Sequence, residues 1–342
     1  MNFAGLGLRW IATLAYALGG GGCAKVEFDL GRDDSASVAA ACARGGPQRL
    51  ASLASAGRPS ALVSDGRTIF AGTAQGIVAI DGNVRPVPGG ESYAAGPLTI
   101  AGDLLLFVQR PLASSSAASL GVPLLRLPKG GGEPANVPGA SSVVAFQTRG
   151  KRIVWEPATA SSIAGEEAKL LTLNDVDGQV EPLVSRTGRG QWRIDDTHVF
   201  YPDLVERQVV IRRAALADPR PTVTTLFRYS LNGTYDPDVW DVDDTSVYLT
   251  PHGVSPMVAI DKATAFMRPL FDDLDGAIVD VAVGRDHAYW LTFARRRVFR
   301  VDKRNGGTPE LVVESATEIA SIAVVGCALV WIADREVWAM PQ

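Results

Sequence analysis

A chain of 342 residues has room for two ordinary domains, or for one all-β repeat domain of the kind that often runs to this length. With 46% hydrophobic and 20% charged residues it is composed as a folded globule rather than a disordered chain. A formal charge of −4, with no basic stripe interleaved with aromatics, argues against a nucleic-acid partner.

In chain order, residues 1–23 place Arg9 before an apolar run from Trp10 to Leu18, then four glycines and Cys23. The run is too short to span a bilayer as a stable helix but fits the core of an export signal. Gly20 and Gly22 before Cys23 resemble a bacterial lipobox, in which the cysteine becomes the lipidated first residue. Gly20 stands where leucine is usual. Ala24 would, by the same resemblance, permit sorting to the outer membrane. An ordinary cleaved signal with Cys23 incidental is the competing reading. Residues 24–44 mix charge with Ser and Ala and are expected to form a tether, with a short helix around Ser35–Arg44.

From residue 45 onward a unit of four short β-type runs recurs. Aligned on the aromatic of its second run, it gives Phe70, Phe107, Trp155, Phe200, Tyr248, Trp290 and Trp331. An apolar first run precedes each aromatic, as in VDVAV from 279 and SIAVV from 321. Tight-turn pairs such as Asp65-Gly66, Asp195-Asp196 and Asp243-Asp244 lie between the two, as hairpins select. Third runs follow (GIVAI at 76, RVFRV at 297, EVWAM at 336), and fourth runs often begin at a proline. Four strands per unit and about 40 residues per period are the signature of propeller blades.

The seventh unit stops at Gln342 with no fourth run. The missing piece lies at the other end, where 45–53 (GGPQRLASL) matches 306–312 (GGTPELV) of the sixth unit. The expected architecture is therefore all-β: a seven-bladed β-propeller over 45–342, closed by an N-terminal strand that completes the last blade. Closure of this kind leaves no open sheet edge. Six or eight blades is the runner-up, and the weakest unit is the second, with its insertion Pro111–Leu120.

The run Tyr289-Trp290-Leu291-Thr292, the segment Phe299-Arg300-Val301-Asp302-Lys303 through Leu311, and the segment Leu124-Arg126-Pro128-Lys129-Gly130-Gly131 carry a family likeness. They resemble YWTD-type and related seven-bladed propeller repeats, including those of bacterial propeller lipoproteins. The resemblance covers roughly 45–342 and implies the fold. It does not select a function, because propellers host many unrelated ones.

Cys42 and Cys327 are the cysteines left once Cys23 is assigned to processing. In a four-strand meander, the turn between strands one and two shares an end with the turn between three and four. Cys327 lies in the former and Cys42 beside the latter, so both fall at one edge of the last blade. An oxidising compartment would let them pair, and two unpaired thiols is the alternative.

Candidate chemistry is sparse. His198, His252 and His287 stand at no metal-ligand spacing, and no cofactor motif is found. Asp195-Asp196 and Asp243-Asp244 read as turn formers rather than paired carboxylates for acid-base work, and Asp272–Gly276 as a solvated acidic loop, with a loose Ca²⁺ site as the alternative. Trp192 and Trp240 begin first strands at equivalent positions, where two indoles near the channel mouth would stack on a sugar or peptide ring; packing between blades is the alternative. Arg189, Tyr235, Asp236 and His252, with Tyr229, Asp238 and Arg295-Arg296-Arg297, would complete a polar and aromatic rim. The functional expectation is an exported, lipid-anchored, non-catalytic binding or scaffold module of the cell envelope. Its partner would be an envelope protein, peptide or glycan, and the chain a monomer. The alternative is a hydrolase or lyase in which Glu156, Asp203, Asp236 and His252 converge.

Overall fold

The computed structural model describes residues 36–43, 45–56, 59–91, 95–109, 122–159, 167–174, 178–187, 191–206, 208–218, 220–230, 240–250, 257–271 and 277–342. After helix α1 (Ala36–Ala43) and strand β1 (Gln48–Ser52), the chain builds seven four-stranded antiparallel sheets. Blade 1 holds β2 (Pro59–Ser64), β3 (Ile69–Thr73), β4 (Gly76–Ile80) and β5 (Val84–Pro86). Blade 2 holds β6 (Ala95–Ala101), β7 (Leu104–Gln109), β8 (Leu124–Pro128) and β9 (Ala135–Asn136). Blade 3 holds β10 (Val143–Arg149), β11 (Arg152–Pro157), β12 (Glu167–Leu173) and β13 (Glu181–Thr187). Blade 4 holds β14 (Arg193–Ile194), β15 (His198–Val205), β16 (Gln208–Ala215) and β17 (Thr224–Ser230). Blade 5 holds β18 (Trp240–Val242), β19 (Ser246–Leu249), β20 (Val258–Asp261) and β21 (Met267–Pro269). Blade 6 holds β22 (Ile278–Val283), β23 (His287–Thr292), β24 (Arg297–Asp302) and β25 (Glu310–Glu314). The last blade holds β26 (Ile319–Val325), β27 (Ala328–Ala333) and β28 (Glu336–Pro341).

Six blades are simple meanders, and the seventh has the order β1-β28-β27-β26. The N-terminal strand therefore supplies the outer strand of the last blade, in register from Gln48 opposite Ala339 to Ser52 opposite Glu336. Leu53 extends the pairing by donating its N–H to the Arg335 carbonyl at 2.7 Å. This is the seven-bladed, strand-closed ring that the repeat pattern predicts.

The core is divided among the seven junctions between blades, each with its own apolar cluster. A second strand is covered by a neighbour on both faces, so its residues are buried without alternation: β3 and β27 have no exposed position. Continuous burial explains why these strands read as unbroken apolar runs with an aromatic. Outer strands such as β13 alternate, because one face meets solvent.

Helix α1 packs into the seam between the last blade and the first. Val38 and Ala41 are buried there with Leu53, Leu62, Ala328 and Val337. This part of the expected tether is thus docked on the propeller. Cys42 and Cys327 are joined by a disulfide with Cα atoms 5.9 Å apart, across a sequence separation of 285 residues. Among the described residues, no helix is long and apolar enough to cross a membrane.

Candidate functional site

Each first strand ends in a tight turn, and the turns between first and second strands gather with those between third and fourth strands at one end of the ring. Where the turn holds glycine, as at Gly66, Gly102, Gly150 and Gly326, φ is positive. Where it holds Asp, the carboxylate caps the turn itself. Asp195 Oδ1 accepts the N–H groups of Thr197 and His198, each at 2.7 Å. Asp243 Oδ1 does the same for Thr245 and Ser246 at 2.8 Å. The paired aspartates are turn formers, as their positions in the repeat imply.

The second carboxylate oxygen does something the sequence reading did not anticipate. A lysine at the end of the third strand in the next blade reaches back to it. Lys129 meets Asp65 at 2.8 Å, Lys262 meets Asp195 at 2.5 Å and Lys303 meets Asp243 at 2.7 Å. Burial pushes each of these carboxyls up, but the lysine and the turn N–H groups outweigh it and hold the pKa below the usual value. Lys262 also lies 4.7 Å from the centre of the Phe200 ring. At the junction of blades 6 and 7, Gln342 substitutes, its Oε1 accepting Arg285 N–H at 2.9 Å. At the seam between blades 7 and 1, helix α1 and the disulfide occupy the corresponding place. Tandem Asp–Lys clasps thus tie neighbouring blades together at this end of the ring.

Inside the ring, first strands do not pair with one another, so polar side chains bridge them. Gln147 donates to the Trp192 carbonyl at 2.5 Å and accepts from Ile194 N–H at 3.0 Å. Arg193 donates to the Trp240 carbonyl at 3.1 Å. Asp241 accepts from Val283 N–H at 3.1 Å. Asp280 accepts from Ser321 Oγ and Ile322 N–H, both at 3.0 Å. These satisfied buried groups position the strands.

At the clasp end the channel opens into a cavity of about 500 Å³. Arg149, Arg193, Arg285 and Lys303, against Asp241, Asp243 and Asp244, supply its charged lining. A second hollow of about 400 Å³ between blades 5 and 6 shares Thr245, Arg285 and Lys303 with it. Mixed charge of this kind suits non-covalent recognition of a polar ligand.

The tryptophans are placed differently from the ligand-stacking expectation. Trp192 and Trp240 are each only 1% exposed, in the cores between blades 3 and 4 and blades 4 and 5. Trp240 Nε1 donates to the Gln191 carbonyl at 3.0 Å. Their positions put the rings in phase with the junctions rather than the channel, so they pack between blades and offer no face to a ligand. Arg189, Tyr235, Asp236, Asp238 and His252, with the acidic loop Asp272–Gly276 and Cys23, lie outside the described residues. Of the other two carboxylates considered for hydrolysis, Glu156 is buried in an ion pair with Arg186 at 2.6 Å. Asp203 binds Arg212 at 2.8 Å and accepts the Thr187 N–H at 2.8 Å. Both are already engaged. His198 contacts Thr197 Oγ1 through Nδ1 at 2.7 Å, and burial lowers its pKa. Among the described residues, no three His, Cys, Asp or Glu side chains gather as a metal site.

No protein-family model matches the sequence, and no curated protein sequence matches it. Solved structures do. The chain is similar to virginiamycin B lyase from Staphylococcus aureus, at 13% identity over 86% of this chain and 99% of that one, with a TM-score of 0.59. It is similar to the β-propeller domain of Cps50 (Swd1) from Myceliophteria thermophila, at 9% identity over 86% and 99%, also with a TM-score of 0.59. YCF48 from Cyanidioschyzon merolae matches at 13% identity over 87% and 98%, with a TM-score of 0.56. At such identities the likeness extends to the propeller fold alone.

Proposed function

We propose that this chain is an exported, lipid-anchored propeller that serves the cell envelope as a non-catalytic binding or scaffold module, its partner a protein, peptide or glycan. The observation that carries this reading is the bridge between Cys42 and Cys327. Disulfides persist in oxidising compartments, and this one ties helix α1 to the last blade. The N-terminal run ending at Cys23 supplies a matching export and anchoring signal. The polar side chains that bridge the first strands are committed to holding the ring, while the cavity at its clasp end leaves a concave surface that sets charged side chains among apolar ones.

Cell fractionation with metabolic labelling by a palmitate analogue tests the reading. Wild-type protein is expected in the envelope fraction and labelled, and Cys23→Ser should lose the label. An unlabelled wild-type chain would remove the anchor, and a cytosolic one would refute the envelope assignment.

A further inference from the structure

The hollow between blades 5 and 6 is predominantly basic. It is lined by Arg268, Arg285, Lys303 and Arg304 against one carboxylate, Asp261, on a chain whose net charge is −4. That carboxylate is already used, its Oδ1 accepting Ala263 N–H at 3.0 Å and Thr264 N–H at 2.7 Å. Lys303 is neutralised by Asp243. Arg304 lies 3.7 Å from Asp286, both largely in solvent, and also feels the charge of Asp302. Among the described residues, Arg268 and Arg285 meet no carboxylate within ion-pair distance, although Arg268 donates to the Lys303 carbonyl. Beside them stands Phe266, 67% exposed, the highest value among the large apolar side chains described.

We infer that this trough, which shares Thr245, Arg285 and Lys303 with the lining of the channel cavity, docks an acidic peptide segment of a protein partner. Arginine is the side chain best suited to grip carboxylates, because its planar fork donates two parallel hydrogen bonds. Phe266 supplies what a bare anion site lacks, an apolar contact for a side chain lying between acidic ones. A lipid surface would be met by cations on a protruding rim, whereas these line a concave groove between two blades. The inference rests on the binding-module reading and names the partner's chemistry and its seat.

Fluorescence anisotropy on the full oxidised chain provides the test. The probe is a short fluorescein-labelled peptide of aspartate and glutamate with one central phenylalanine. The same peptide with lysines replacing the acids, inorganic phosphate, and phosphatidylcholine vesicles containing phosphatidylglycerol are run beside it. The acidic peptide should bind and the lysine peptide should not, and raising salt to about 0.5 M should weaken binding by roughly tenfold. Arg285→Glu should weaken it at least about tenfold, and Phe266→Ala by about fivefold, both with unchanged melting temperatures because both side chains are exposed. Equal binding by wild type and Arg285→Glu overturns the proposal, as does equal binding of the two peptides. Binding of vesicles or phosphate without the peptide also overturns it. If the peptide fails while the chain still forms an envelope complex that Arg285→Glu leaves intact, the trough is refuted and the module reading stands. If the peptide binds and the chain is cytosolic, the trough stands and the envelope reading fails.

Discussion

Replacing Asp195 by Asn isolates one clasp. The asparagine still caps its turn through Oδ1, but Lys262 loses its only carboxylate partner among the described residues. Both side chains of the pair are 10% exposed, so the stranded ammonium has little water to turn to. Breaking a buried pair by removing one partner costs about 3–5 kcal/mol. Residual solvent access argues for the lower end, about 3 kcal/mol, which lowers the melting temperature by roughly 6–12 °C at the usual 2–4 °C per kcal/mol. Lys262→Met keeps the aliphatic stem and leaves the Asp195 carboxylate held by the Thr197 and His198 N–H groups, so it should cost less, although it forfeits the contact with Phe200. The double variant should recover more than about 1 kcal/mol relative to the summed single losses. The pH dependence has a definite sign. The folded pKa of Asp195 is depressed below its ordinary 3.8, so the clasp's contribution is present in full above that value and is lost as pH falls through the folded pKa. Thermal melts of the four proteins at pH 7 and in steps below pH 4 measure all of this. Additive single losses within about 0.5 kcal/mol, or a wild-type advantage that does not shrink as the pH is lowered step by step from the ordinary carboxylate value, would refute the argument.

Two further perturbations act on the ring itself. Deleting residues 45–53 removes β1, exposes the edge of β28 and should cause aggregation in light scattering; a monodisperse truncated protein melting like the full chain would contradict the closing role. Cys42→Ser, or reduction, should lower stability by about 2–4 kcal/mol in urea titration and leave the far-ultraviolet spectrum β-rich. An unchanged midpoint would mean that the bridge adds nothing to the seam.

The ring was legible because its causes are local and repeat. A second strand sandwiched between two neighbours is buried along most of its length and so reads as a mainly apolar run, and that makes Phe107, Trp155 and Trp290 visible as period markers. The closing strand and the Cys42–Cys327 pair followed from counting strands around a circle. The clasps were not legible, although Lys129, Lys262 and Lys303 stand in plain view at the ends of third strands. Their partners lie 64, 67 and 60 residues away, and pairing at such distance leaves no local trace. Whether Trp192 and Trp240 face the channel or the blade junctions stayed open in the sequence for a related reason. A strand pattern gives alternation but not which side of a short, twisted inner strand meets the neighbouring blade. The trough residues were missed because Phe266 stands just before an outer strand, Arg268 on it and Arg285 in a turn of the next blade. Only the ring geometry brings them together.

Cross-linking of the full oxidised chain in an envelope extract, read by mass spectrometry, tests the binding-module assignment most directly. A saturable complex with a discrete protein partner is expected, its cross-links mapping to the clasp face around blades 5 and 6 and weakened by Arg285→Glu. A chain that stays uncomplexed in the extract while consuming a small molecule would contradict it.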